Sequence, residues 1–276
     1  MFTQPFGDHL HLWGNITQTG PMKFIALFLF LASVAIAPAL AQTTVEAKEI
    51  IAKINHKQAV SYQNATITGD LDLTSLENRK EVHGGSWNSP QYLSVVEVPL
   101  SFKNCTFNGK FLAYRSEDRE GKLLKSNSTV YNTDFTEAVT LEGCTFEDDA
   151  AFKYSHFSQR SIFTDNTFRK EALFKYTQFR NAADFRGSEF RGYADFKYTE
   201  FNEASAFQNT RFERYADFKY TKFEEGVNFQ KAQFSGYADF KYTNFPRGTS
   251  FDNVRFSGLT DFKYTKLDGQ KFNPGN

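Results

Sequence analysis

The chain has 276 residues, and its 32 Lys and Arg equal its 32 Asp and Glu. A neutral chain has no net field to draw it toward nucleic acid or anionic membranes, so no nucleic-acid partner is expected. Phenylalanine occurs 32 times against two methionines, and such a bias toward one large apolar residue marks a single structural slot that is refilled repeatedly.

The N-terminus stands apart from the rest. Met22-Lys23 opens an apolar run from Phe24 to Pro38, followed by Ala39-Leu40-Ala41. A charged start, a short apolar stretch and an A-x-A end form the pattern of a secretory signal peptide, so residues 22–41 are read as one and Gln42 as the first mature residue. An uncleaved anchor is the alternative, but the run is short for a spanning helix. The expected location is therefore extracytoplasmic, periplasmic or secreted, with no stable membrane span after cleavage. Residues 1–21 resemble neither a targeting element nor a fold and are read as an upstream start, with Met22 the initiator; His9, His11 and Trp13 then carry no function. Residues 1–41 hold only Asp8 and Lys23 as charges, so the mature chain stays neutral.

Residues 42–58 are predicted to be a short helix. Thr43 with Glu46 has the spacing of a capping box, and Ala47, Ile50, Ile51 and Ile54 fall on one face. Such a helix would cover the open N-terminal end of a solenoid.

From residue 59 to 272 the chain is periodic. Phe-Lys-Tyr-Thr/Ser starts at Phe152, Phe174, Phe196, Phe218, Phe240 and Phe262, each 22 residues after the last. Between these lie segments such as Phe185-Arg-Gly-Ser-Glu-Phe190 and Phe207-Gln-Asn-Thr-Arg-Phe212, so large apolar residues recur at alternating steps of five and six. Neither a helix nor a long strand has that period, whereas short straight segments joined by corners do. A small residue stands two before each large one, as Ala172, Ala194, Ala216 and Ala238 or Thr177, Thr199, Thr221 and Thr243, so every side would bury one large and one small side chain. Upstream, Leu141-Glu-Gly-Cys-Thr-Phe146 repeats Phe102-Lys-Asn-Cys-Thr-Phe107 after 39 residues, one coil of 22 plus an insertion of 17. Two interruptions, near 77–99 and 114–129, are read as solvated loops, and 273–276 as a tail.

A small residue, Asp or Asn, then Phe and two polar residues, as in Ala-Asp-Phe at 194–196, 216–218 and 238–240, resembles the pentapeptide-repeat family. The resemblance implies an all-β fold: a right-handed quadrilateral parallel β-helix with one repeat per side. This chain departs from the plain pattern by an extra residue on alternate sides, giving 22 per coil. The extra residue is expected at corners, where Gly192, Gly226, Gly236, Gly248 and Gly258 supply permissive backbone.

No catalytic set is visible. His56, His83 and His156 are far apart, and no nucleophile elbow, phosphate loop, zinc signature or calcium loop occurs, so no enzyme, cofactor or metal is expected. Cys105 and Cys144 should stack on neighbouring coils about 4.8 Å apart, as a disulfide or as two buried thiols. Tyr176, Tyr198, Tyr220 and Tyr242, in a column that also includes Tyr154 and Tyr264, read either as a binding face or as a ladder that stabilises the stack. The Lys column from Lys153 to Lys263 should be offset by Asp195, Asp217, Asp239 and Asp261 in a ladder of diagonal ion pairs. At the C-terminal end, Phe256, Phe262, Leu267 and Phe272 should remain uncovered and join a second copy as a homodimer; a monomer whose tail folds back is the alternative.

The function these features suggest is a non-catalytic exported scaffold that offers flat faces or inserted loops to a protein or envelope polysaccharide. The alternative is a DNA-mimicking topoisomerase-binding role of the kind the resemblance also implies. Neutral charge and a signal peptide disfavour it, because mimicry needs dense negative charge.

Overall fold

A computed structural model describes residues 43–82, 90–117, 128–272 and Pro274. The upstream start, the signal peptide and the cleavage point before Gln42 lie outside the described residues, as do His83 and most of the tail.

The alternation of five and six has a direct structural cause. In one coil the chain runs through Ser161–Ile162, Thr167–Phe168, Ala172–Leu173 and Gln178–Phe179, four two-residue strands separated by bends. Each pairs in parallel with the strand 22 residues on: Ser161 with Ala183, Phe168 with Phe190, Ala172 with Ala194, Phe179 with Phe201. Stacking these coils yields four parallel sheets, the right-handed quadrilateral solenoid expected from the repeat.

The interior is aromatic. Phe152, Phe174, Phe196, Phe218 and Phe240 are fully buried, and successive rings lie 4.9 to 5.1 Å apart and within 9° of parallel. Across the core the rings meet edge to face, as Phe185 and Phe196 do at 5.4 Å and 90°. Both arrangements suit the ring quadrupole and add to the area term. The small column is a second coil-to-coil fastening: Thr177, Thr199 and Thr221 donate their hydroxyls to the carbonyls of Phe152, Phe174 and Phe196 at 2.6 to 2.7 Å. Burying these hydroxyls is tolerable because each is paired.

The N-terminal end departs from the sequence reading. Thr43–Glu46 is a strand, not a capping box; it pairs with Ala65–Thr68, Thr43 opposite Ala65, and extends the second side by one step. The helix is Ala47–Asn55, and Glu46 at its N-cap accepts no side-chain capping bond. The apolar residues at Ile67 and Val45 outweigh a cap on a nine-residue helix, because a strand here buries both against the first coil. The helix follows and buries Ala47, Ile50 and Ile54.

The described parts of both interruptions include paired strands, while residues 83–89 and 118–127, the middle of each expected loop, lie outside the described residues. Lys80–Val82 runs antiparallel to Gln91–Val96, and Tyr114–Glu117 antiparallel to Thr129–Phe135. Gln91–Val96 and Thr129–Phe135 pair in parallel along six residues, from Gln91 with Val130 to Val96 with Phe135. Together they form a four-stranded wing that continues the fourth side. The outer strands Lys80–Val82 and Tyr114–Glu117 are short, polar and largely exposed, so nothing in their sequence pattern marks them as strands.

The glycines divide by cause. Gly226 and Gly248 take positive φ, 112° and 89°, but Gly236 does not. There a Cβ would lie 1.8 Å from the Arg214 carbonyl oxygen of the coil below, so close backbone approach is the constraint.

The expectation of a bare C-terminal end is corrected. Lys266–Leu267 turns at Asp268-Gly269, both with positive φ, and returns antiparallel as Gln270–Lys271. That two-residue hairpin turns Phe272 back over the last coil, 5.0 Å from Phe251 and 5.7 Å from Phe262. Phe256, Phe262, Leu267 and Phe272 are partly buried against the core instead of forming an open layer.

Candidate functional site: a groove beside the tyrosine corner

Two of the four corners are tight turns of one type. In Phe174-Lys175-Tyr176-Thr177, the Thr177 N–H donates to the Phe174 carbonyl at 3.0 Å, and Tyr176 has φ 60°. The bend from the first to the second side repeats the geometry: Thr210 N–H donates to the Phe207 carbonyl at 3.2 Å, and Asn209 has φ 59°. The third residue of such a turn sits in the left-handed region, which favours Gly, Asn or Asp. The second corner follows the rule with Asp165, Gly187, Asn209 and Asn253, broken by Lys231. The first breaks it in every coil, with Tyr154, Tyr176, Tyr198, Tyr220, Tyr242 and Tyr264 all between 59° and 63°.

These tyrosines form a ladder. Centroids of Tyr176, Tyr198, Tyr220 and Tyr242 are 4.6 to 4.9 Å apart, with rings within 7° of parallel. Ring faces are therefore taken up by neighbours, and a ligand meets ring edges and hydroxyls. Tyr242 is 41 % exposed and Tyr176 39 %. Partial burial, reinforced by the neighbouring Tyr154 and Tyr198, pushes the Tyr176 phenol pKa up, so it stays protonated and able to donate.

Beside the ladder runs the fourth side, whose outward residues are His156, Gln178, Glu200, Lys222 and Asn244 in register. Ladder and sheet enclose a groove of about 460 Å³ lined by Tyr198, Tyr220, Tyr242, Lys222, Glu224 and Asn244. Lys222 pairs with Glu200 across one coil. Toward the N-terminus the wing closes the groove: Gln91, Val130 and Asn132 join Tyr154, His156 and Tyr176 around a recess of about 280 Å³. Asn132 donates to the Tyr154 carbonyl at 3.4 Å, and the His156 ring meets Asp134 at 2.9 Å.

The expected Lys–Asp ladder does not form. Asp195, Asp217 and Asp239 are 7 %, 5 % and 3 % exposed, and each accepts the backbone N–H of the Lys two residues on at 2.9 to 3.0 Å. They brace the turn in front of the tyrosine. Burial pushes the Asp195 and Asp217 pKa values up. Lys175, Lys197 and Lys219 instead lie over their own tyrosines, 5.2 to 5.4 Å from the ring centroids. Lys241 is an exception, bonding Asp239 and Asp261 at 3.2 and 3.3 Å.

Cys105 and Cys144 are buried, stacked on adjacent coils, and present as two thiols. Cys144 donates to the Phe102 carbonyl at 3.3 Å, and its side-chain hydrogen bond with Cys105, together with burial, pushes its pKa up. They lie on the second side, away from the groove.

The sequence placed the tyrosine column but neither its backbone strain nor the wing wall. The strain was legible in principle, since the Asn and Gly of the other corner occupy the matching position in the Phe-x-x-x turn.

No curated protein and no solved structure matches the chain. A family model described as pentapeptide repeats (9 copies) matches residues 131–178, 174–222 and 218–266, the stretch in which every coil keeps its 22-residue step. With its repeats, its parallel sheets in register and its small–polar–Phe sides, the chain belongs to the pentapeptide-repeat family.

Proposed function

We propose that this scaffold is exported, non-catalytic, and binds an extended polysaccharide in the groove between the tyrosine ladder and the fourth side. The supporting observation is the tyrosine at positive φ in each of six coils. A left-handed conformation costs a non-glycine residue about 1–2 kcal/mol, and a stacked aromatic pair returns about 0.5–1.5 kcal/mol. The two nearly cancel, so stability gives little reason to prefer Tyr over Asn at this corner. Contact with a ligand does.

The ladder's step argues for the ligand class. Tyrosine rings arrive every 4.6 to 4.9 Å, centroid to centroid, along the axis, whereas an extended peptide advances about 3.3 Å per residue and presents one face every second residue. A glycan chain offers hydroxyls ring by ring and suits a row of phenols, amides and mixed charges. A flat rim of neutral donors also fits a neutral or mixed-charge polymer better than a polyanion.

Affinity electrophoresis of the mature chain through envelope polysaccharide tests the reading. Retardation should be lost in a Tyr198→Asn/Tyr220→Asn double variant, which keeps the turn; equal retardation of the two proteins would refute the groove. Export is tested separately by N-terminal sequencing of material recovered outside the cytoplasm. Gln42 is the expected first residue, and a membrane-bound product that keeps Met22 would favour an anchor.

A further inference from the structure

The corner between the first and second sides holds a different surface. Asn209, Lys231 and Asn253 occupy its left-handed positions on three successive coils, and Arg211, Gln233 and Arg255 stand on the strands that follow, paired in register. These six residues line a cleft of about 520 Å³, the size of a small-molecule site. Three are cations, three are amides, and no carboxylate is among them.

The charge is local to these coils. One and two coils earlier, the same positions hold Gly187 with Glu189 and Asp165 with Thr167, so the face turns from acidic to basic along the axis. Arg211 approaches Glu189 at 3.4 Å. Among the described residues, no carboxylate lies within ion-pair distance of Lys231 or Arg255. Lys231 has φ 60° at a position where both its neighbours are Asn, the residue that takes this conformation with less strain. The backbone therefore does not favour lysine here, and neither does an ion pair.

We propose that this cleft is a second binding site, for a small ligand carrying a tetrahedral oxyanion ester, as in a phosphorylated or sulfated sugar. Arg211 and Arg255 flank the anion from two sides with planar donor forks, Lys231 supplies a point charge between them, and Asn209, Gln233 and Asn253 take the hydroxyls around it. The site is distinct from the tyrosine groove, which lies on the corner between the third and fourth sides.

Isothermal titration of the full chain at low salt with glucose 6-phosphate, glucose 6-sulfate, inorganic phosphate and glucose tests it. Both esters should bind and glucose should not. Inorganic phosphate binding as tightly as the ester would place recognition in the oxyanion alone, and weaker binding would add the amides; either supports the site. Lys231→Asn should weaken ester binding at least about tenfold without lowering the melting temperature, since Asn relieves the strained backbone. Arg211→Gln/Arg255→Gln should do likewise, while Tyr198→Asn/Tyr220→Asn should leave ester binding unchanged. Esters that bind no better than glucose, or basic-site variants that bind as tightly as the parent, overturn the proposal.

Discussion

The two tight corners share a turn, a hydrogen bond and a φ near 60°, yet differ in what fills the strained position. One carries Asp165, Gly187, Asn209, Lys231 and Asn253; the other carries tyrosine in every coil from Tyr154 to Tyr264. Since the backbone demand is the same, it cannot explain the difference. Structure alone dictates only a residue tolerant of the left-handed region, and the mixed corner shows how freely that demand is met. What is constant at the tyrosine corner must come from the side chain itself, through stacking or through contact with a ligand.

The core beneath both corners sets the scale. Phe207 is fully buried, stacked between Phe185 at 4.8 Å and Phe229 at 5.2 Å, and its turn leads into Asn209. Phe207→Ala should destabilise the protein by about 3–5 kcal/mol in chemical denaturation, because the coils above and below hold the cavity open. A loss below about 1 kcal/mol would mean that the stack can collapse and that the corners are not rigidly supported.

Exchanging the corners' residues is the next largest change. Asn209→Tyr places a ring in the left-handed region next to Gly187 and Lys231, with no ladder to join, and should cost about 1–2 kcal/mol by the same measurement. If it proves neutral, tyrosine has no strain to offset and the contrast between the corners loses its meaning.

The residue that braces each turn offers a pH test. Asp217 accepts the Lys219 N–H at 2.9 Å in front of Tyr220, and Asn228 accepts the Gln230 N–H at 2.8 Å in front of Lys231, so Asp and Asn serve the same bond. Asp217 differs in its charge, and burial raises its pKa. A raised carboxyl pKa adds stability that is fully present below the unfolded value near 3.9 and is lost as pH rises through the folded value. Asp217→Asn should therefore raise the melting temperature at pH 7 by about 2–4 °C, the equivalent of about 1 kcal/mol in a chain of this size. The advantage over the parent should shrink toward pH 4. An advantage that is constant with pH, or absent, would show that the carboxylate's burial is compensated.

How far the sequence revealed these features depends on whether a constraint repeats. The Phe slots, the 22-residue coil and the four sides were legible because each is rewritten in every coil, so the columns from Phe152 to Phe262 expose the architecture directly. The wing was hidden, because Lys80–Val82 and Tyr114–Glu117 each occur once and their polar surroundings resemble a loop. The start at Thr43–Glu46 is ambiguous for a similar reason: a local capping spacing competes with pairing to Ala65–Thr68, and pairing wins because it buries Val45. The C-terminal closure rests on Asp268-Gly269, a two-residue hairpin signal that occurs once and so lacks the support of repetition. The groove was half legible. Its tyrosines recur and were seen; its second wall and its closed end depend on the wing.

The smallest expected effect is the most discriminating. Tyr198 stacks on Tyr176 at 4.8 Å and Tyr220 at 4.9 Å. Tyr198→Asn forfeits both contacts, about 0.5–1.5 kcal/mol each, and recovers much of the left-handed cost of about 1–2 kcal/mol, so its net change should stay within about 1 kcal/mol. Tyr198→Ala forfeits the same contacts and has no side-chain amide to hydrogen-bond the local backbone in the left-handed region, so it should be the less stable of the two by about 1 kcal/mol. That order, Asn above Ala, is the reverse of what helix or strand propensity would give and follows only from the positive φ. Paired melts of the two variants decide it. If Asn proves as damaging as Ala and both lose more than about 2 kcal/mol, the ladder is a stabilising device in its own right, and the tyrosines need no ligand to account for them. If Asn is near neutral while retardation in polysaccharide is lost, stability and binding are separated at a single residue, and the column is maintained for contact along the groove.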